Sequence, residues 1–134
     1  MSSLPPAIEA FLEGGPFAVV GASNDLEKYG AKVFACYLQN DRQTFPVNPR
    51  QDEVQGHQAY KSLSAIPEPV HGVSVITPPA VTEKVVEEAI ELGIRHIWMQ
   101  PGAESPAAVA RAEEAGIEVI HGGPCLLVVL HYKE

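Results

Sequence analysis

The sequence predicts an α/β fold built on a mainly parallel sheet. Short apolar runs alternate along the 134 residues with amphipathic helical patterns, the order expected of β-α-β units. Within each run successive residues are apolar, as in strands covered on both faces. Glycine or proline closes most runs and helices, so the elements are short and well separated.

Pro5 to Leu12 reads as a short amphipathic helix, with Ile8, Phe11 and Leu12 on one face and Gly14-Gly15 as its stop. Phe17–Val20 is the first strand. The helix Ala31–Gln39 follows, marked by Ala31, Phe34, Tyr37 and Leu38. Thr44-Phe-Pro-Val-Asn-Pro49 reads as the second strand, its end set by Pro49. Residues 50–70 are polar and broken by Gly56, Pro67 and Pro69, a connection with one helical turn at 61–65. Gly72–Thr77 is the third strand, ended by Pro78-Pro79. Val81, Val85, Ala89 and Leu92 then share one helix face, closed by Gly93. Arg95–Met99 is the fourth strand. Ser105-Pro106 fits an N-cap followed by a first-turn proline, opening a helix with Ala108, Val109, Ala112 and Ala115 inward and Gly116 as its end. Ile117–Ile120 is the fifth strand. The tail Cys125–Tyr132 holds Leu126-Leu-Val-Val-Leu130, too apolar to hang free in water, and reads as a sixth strand or an edge segment in a dimer. Right-handed crossovers between these strands give a Rossmann-like three-layer α/β/α fold with a mainly parallel five-stranded sheet, one domain over residues 1–134.

Composition narrows the function. With 46% hydrophobic and 19% charged residues the chain is expected to be ordered, and a net charge of −8 argues against broad nucleic-acid binding or an anionic membrane surface. Cys36 and Cys125 form no C-x-x-C pair, which fits a reducing compartment. Met-Ser-Ser-Leu-Pro-Pro has no signal-peptide pattern, and no apolar stretch reaches membrane-span length, so a cytoplasmic location is expected. The histidines at 57, 71, 96, 121 and 131 lack metal-ligand spacing, and no Gly-x-Ser-x-Gly elbow occurs.

Phe17-Ala-Val-Val-Gly-Ala-Ser-Asn-Asp-Leu-Glu-Lys-Tyr-Gly30 is the stretch that speaks most directly of a ligand. A strand breaks at Gly21 into a small polar loop that ends at a helix start. Free N–H groups and the helix dipole make such a start an anion site, and phosphate is its natural occupant. The match to G-x-G-x-x-G is poor, since Ala22 and Ser23 follow Gly21 and the next glycine is Gly30. Gly21 is expected to serve conformation or close approach, so that Gly21→Val removes binding and leaves the fold. In a parallel sheet the ligand lies beyond the strand C-termini. Those tails read Gly21-Ala22-Ser23, Asn48-Pro49-Arg50, Thr77-Pro78-Pro79, Gln100-Pro101-Gly102 and His121-Gly122-Gly123-Pro124-Cys125. No carboxylate ends the second strand, where NAD would need one for its ribose. Arg50 could reach a phosphorylated ribose, and Lys28 could close over a pyrophosphate. Trp98 reads as core and Cys36 as a buried, inert thiol. Thiol chemistry at Cys125 would need a pKa lowered by nearby cations or a helix start, for which His121 is the candidate.

Val-Gly-Ala-Ser23, Phe-Pro-Val-Asn-Pro49, Thr-Pro-Pro79, Ile-Trp-Met-Gln100-Pro-Gly102 and Ala-Gly-Ile-Glu-Val-Ile120 before a cysteine, in that order, resemble the CoA-binding domain family. These are stand-alone relatives of the N-terminal domain of the succinyl-CoA synthetase alpha subunit. The resemblance covers about residues 8–125 and implies coenzyme A, or an acyl-CoA, on the strand C-terminal face. It implies that Gly21, Ala22, Ser23, Lys28, Tyr29 and Gly30 hold phosphates and that Asn48, Pro49 and Arg50 line the adenosine end. Thr77, Pro78, Gln100, Pro101 and Gly102 would flank the rest, with Cys125 near the thiol. Two positions depart from the family pattern. Ile76-Thr77 stand where relatives often carry Arg or Lys, and His-Gly-Gly-Pro-Cys125 replaces Asp-Arg-Cys. The synthetase needs a phosphohistidine domain and a nucleotide-binding subunit, so this chain is expected to bind without catalysis, with a homodimer as a further expectation. The alternative is an NAD(P)-binding oxidoreductase or sensor domain.

Overall fold

Burial along the first strand sets the layering. In the computed structural model, which describes residues 5–134, Ala18 and Val20 face one apolar core while Phe17 and Val19 face another. A strand buried on both sides needs a covering layer on each. The first four residues of the segment read for a signal peptide lie outside the described residues.

The strands are β1 (Phe17–Val20), β2 (Thr44–Val47), β3 (Glu53–Val54), β4 (His57–Gln58), β5 (Gly72–Val75), β6 (His96–Met99) and β7 (Glu118–Ile120). Five of them form one sheet in the order β2-β1-β5-β6-β7, with every pairing parallel. The helices are α1 (Pro6–Glu13), α2 (Tyr29–Gln39), α3 (Pro79–Glu91), α4 (Pro106–Glu114) and α5 (Leu126–Val129). Val85, Val86 and Ala89 of α3 and Ala108 and Ala112 of α4 cover Ala18, Val73, Val75, Ile97 and Met99. Alanines on α4 let it lie close to the sheet. On the other face, α1, α2 and α5 enclose Phe17, Val19 and Trp98.

That second layer is aromatic. Phe17 stacks on Phe11 and on Tyr37, with ring centres 5.3 and 5.2 Å apart, and Trp98 meets Phe11 edge-on at 5.5 Å. Tyr37 and Ser74 are fully buried and share a hydrogen bond of 2.6 Å, which satisfies the one hydroxyl that β5 carries into the core. Burial pushes the Tyr37 phenol well above its ordinary pKa, so it stays protonated. Cys36 is buried too, and its thiol is pushed up to about 11, in keeping with an inert core sulfur.

Two expectations need correction. The apolar tail is neither a sixth strand nor a sheet edge. Leu126–Val129 forms α5, and Leu126 is fully buried against the α2 layer. Leu126, Val129 and Leu130 turn inward at helical spacing, while Val128 is 72% exposed. Asn40 Nδ2 donates to the Leu130 carbonyl at 3.2 Å, tying the tail to the end of α2. The second difference lies in residues 50–70. They contain the β3–β4 hairpin, turned by Gln55-Gly56 at φ 51° and 83°, ahead of the expected helical turn, which is a 3-10 turn at Leu63–Ala65. The second strand also stops at Val47, because the Asn48 side chain accepts from the Arg50 and Gln51 amides and bends the chain.

Leu126→Ala should therefore cost about 2–5 kcal/mol, read as a lower urea midpoint with unchanged slope. His96 supplies a pH test. Burial, then the His71 ring 4.4 Å away, lower its pKa, although Glu118 lies 3.6 Å off. The unfolded chain therefore takes up this proton first as pH falls through about 6.5. Stability should be full above that pH and decline below it. His96→Gln should remove part of the decline in Tm between neutral and mildly acid pH.

Candidate functional site

The site is set by where the sheet reverses. β1 leads outward to β2, and the chain then crosses to β5 on the other side of β1, so the helices that follow β1 and β5 lie on opposite faces of the sheet and leave a crevice at their starts. Gly21 lies in it at φ +103°, its amide donating to the Val47 carbonyl at 3.2 Å. A Cβ on Gly21 would strike the Ile76 carbonyl, and one on Gly30 would strike the Gly21 carbonyl. Two strand tails and the first turn of α2 thus touch backbone to backbone. The expectation that Gly21→Val would leave the fold is corrected, since neither obstruction is a side chain that can move.

Around this contact a set of amides is left unpaired. The N–H groups of Ala22, Ser23, Tyr29, Gly30 and Ala31 have no protein acceptor among the described residues. No side chain caps α2, whereas Ser105 Oγ caps α4 by accepting from the Ala108 amide. The loop between them is closed by its own polar groups. Ser23 Oγ accepts from the Asp25 amide at 3.0 Å and Asp25 Oδ1 from the Glu27 amide at 3.0 Å. The Ser23 hydroxyl keeps its proton free to donate. Lys28 and Arg50 are exposed and make no ion pair among the described residues. Asn48 is committed within the protein, since Nδ2 donates to the Ala22 carbonyl at 2.9 Å while Oδ1 holds the turn to Gln51. Pro49 is exposed beside it.

The hairpin clamps the same loop from outside. Asn24 Nδ2 donates to the Glu53 carbonyl at 2.8 Å, and Asn24 Oδ1 accepts from the Gln55 amide at 2.7 Å. Gln55 Nε2 returns bonds to the Ser23 and Ala31 carbonyls at 3.1 and 2.9 Å.

A second cluster lies over β6. Gln100 is fully buried, and its Oε1 accepts from the Leu126 amide at 2.9 Å and from the Tyr29 hydroxyl at 3.1 Å. Tyr29 OH is also 2.8 Å from the half-buried Cys125 sulfur. Burial, then the sulfur beside it, push the Tyr29 phenol far above its usual range, so it remains a donor. Glu104 ties the β6 and β7 tails together by accepting from the Gly102 and Gly122 amides at 3.0 and 3.1 Å. Pro101 and Gly102 are exposed above this bridge. Thr77 turns to Thr82, with their hydroxyls 2.8 Å apart at the start of α3, and Pro78 is exposed. Trp98 is core, and its indole N–H donates to the Pro124 carbonyl at 3.0 Å. His121, the candidate cation for Cys125, lines a groove with Glu104, Val109 and Glu113, and the side chain in hydrogen-bond contact with the Cys125 sulfur is that of Tyr29.

Sequence reasoning missed Asn24, Gln55 and Glu104. Gln55-Gly56 between Val54 and His57 carries a turn signal, but nothing local tells which loop the turn would grip.

A family model described as a CoA binding domain matches residues 16–131. The chain is 31% identical over 117 residues to the alpha subunit of ADP-forming acetate–CoA ligase II from Pyrococcus furiosus, a match covering 85% of this chain and 26% of that one. It thus spans about a quarter of the length of that curated relative. Among solved structures, a conserved hypothetical protein from Pyrococcus furiosus superposes with a TM-score of 0.80 at 37% identity, covering 84% of this chain and 97% of its own. A hypothetical protein from Pyrococcus horikoshii gives a TM-score of 0.85 at 28% identity, covering 96% and 95%.

The geometry at Gly21 and Gly30 makes a direct forecast. Gly21→Ala or Gly30→Ala should cost about 2 kcal/mol or more, because backbone must separate from backbone to admit the methyl group. Chemical denaturation checks it. A change under about 0.5 kcal/mol at either site, the usual range of neutral surface substitutions, would show that the contact is loose.

Proposed function

The chain belongs to the CoA-binding domain family, and from that we propose that it binds coenzyme A or an acyl-CoA across the C-terminal edge of its parallel sheet. The observation that carries this reading is the group of five unpaired amides at Ala22, Ser23, Tyr29, Gly30 and Ala31, gathered at the switch point of the sheet. They suit a pyrophosphate, which needs many donors within a small radius and little net positive charge around them. That suits a chain whose net charge is −8.

The remaining residues divide along the ligand. Arg50, exposed past the end of β2, takes the 3′-phosphate of the ribose, with Pro49 against the adenosine. Lys28 closes over the pyrophosphate. Thr77, Pro78, Pro101 and Gly102 line the pantetheine arm, whose thiol ends near Gln100, Tyr29 and Cys125. Asn48 acts indirectly, by holding the Ala22 carbonyl and so the direction of the loop amides. The two unpaired cysteines fit a reducing compartment, which we take to be the cytoplasm. NAD is disfavoured, since Asn48-Pro49-Arg50 puts no carboxylate where its ribose hydroxyls would lie.

Titration calorimetry with CoA, dephospho-CoA, NAD and NADP separates these readings. CoA should bind, and dephospho-CoA should bind more weakly by about 1.5–3 kcal/mol, the worth of a charge-assisted hydrogen bond. Arg50→Ala should erase that difference. Absence of binding by CoA, or a preference for NADP, would sink the proposal.

A further inference from the structure

The cluster over β6 contains a thiol, a hydroxyl and an amide that packing alone does not explain. Gln100 Nε2 is buried without a hydrogen-bond partner among the described residues, in a residue that is fully enclosed. The amide cannot simply be turned over, because Oε1 already accepts from the Leu126 N–H. A buried donor left open costs free energy, and it sits one hydrogen bond from Tyr29, whose hydroxyl touches Cys125. An acceptor brought by a ligand, such as an amide carbonyl, would complete it. Cys125 also differs from Cys36, since it is the half-buried thiol of the two. It follows the turn Gly122-Gly123-Pro124 and lies against the hydroxyl of Tyr29, the first residue of α2.

From this arrangement we infer that Cys125 is a thiol–disulfide exchange site, which captures the disulfide form of a CoA-type thiol as a mixed disulfide. The inference rests on the CoA reading above. In the resting cluster the Tyr29 hydroxyl donates to Gln100 Oε1, so its oxygen accepts from the Cys125 S–H. When the thiol loses its proton to solvent, the Tyr29 hydroxyl turns to donate to the thiolate. Glu104 is the charged group near Tyr29 and acts in the opposite sense. The thiolate attacks one sulfur of CoA disulfide. A new S–S bond forms to Cys125, the old S–S bond breaks, and the departing CoA thiolate takes up a proton. No electrons are gained or lost overall. Gln100 Nε2 holds a carbonyl of the pantetheine arm while this occurs, and Tyr29 is a positioning residue for the sulfur.

The test uses the full chain under non-reducing conditions. With CoA disulfide, intact-mass and peptide analysis should find one CoA moiety on Cys125, released by a reductant. Binding should bring the two sulfurs together, so the reaction should run about tenfold faster or more than with bis(2-hydroxyethyl) disulfide at equal concentration. Tyr29→Phe should slow it and raise the pH at which its rate reaches half-maximum. No adduct, an adduct on Cys36, equal rates for the two disulfides, or an unchanged pH profile in Tyr29→Phe would overturn the inference. Calorimetry of desulfo-CoA with the wild-type chain is run in parallel. Binding there without an adduct leaves the CoA reading intact and refutes exchange at Cys125, whereas loss of both refutes the two together.

Discussion

The contact on which the rest depends is between backbones. The Gly21 carbonyl occupies the space that a Cβ at Gly30 would take, and the Ile76 carbonyl occupies the space that a Cβ at Gly21 would take. Through these two absences the tail of β1, the tail of β5 and the first turn of α2 meet without an intervening side chain. Any methyl group there would move the helix start away from the crevice and spread its amides. The contact is a matter of steric exclusion, so it works at any pH and ionic strength.

Around it the chain adds direction. The hairpin reaches across from the connection after β2. Asn24 accepts from the Gln55 amide and donates to the Glu53 carbonyl, while the Gln55 side chain donates to the Ser23 carbonyl. Asn48 takes the Ala22 carbonyl from the β2 side. With these carbonyls occupied, amides of the same loop are left without acceptors among the described residues. In the proposed reading an acidic protein meets an anion with peptide groups, and Lys28 and Arg50 are exposed cations that make no ion pair among the described residues.

The tail helix joins stability to the second cluster. Leu126 is fully buried, and its amide is also a hydrogen-bond partner of Gln100. Trp98 holds Pro124 just before it. The same few residues that seal the aromatic layer therefore fix the height of Cys125 above the sheet. Tyr29 belongs to both clusters, as the start of α2 and as the contact of Cys125.

The order of the elements, the parallel sheet and its two covered faces were legible in the sequence. They depend on local periodicity and on glycine and proline punctuation, which act within a few residues. The strand tails were legible for the same reason, and their motifs carried the family resemblance now matched over residues 16–131. The sequence alone read the tail as strand-like, because an apolar run of β-branched and leucine residues has no local signal to choose helix from strand. Tertiary structure made that choice, since the layer beside α2 had an apolar groove to fill and Gln100 had an acceptor to offer the Leu126 amide. It also placed Tyr29 beside Cys125, and Gln55 against the Gly21 loop. Such pairings join residues far apart along the chain, and only the folded backbone brings their atoms within hydrogen-bond reach.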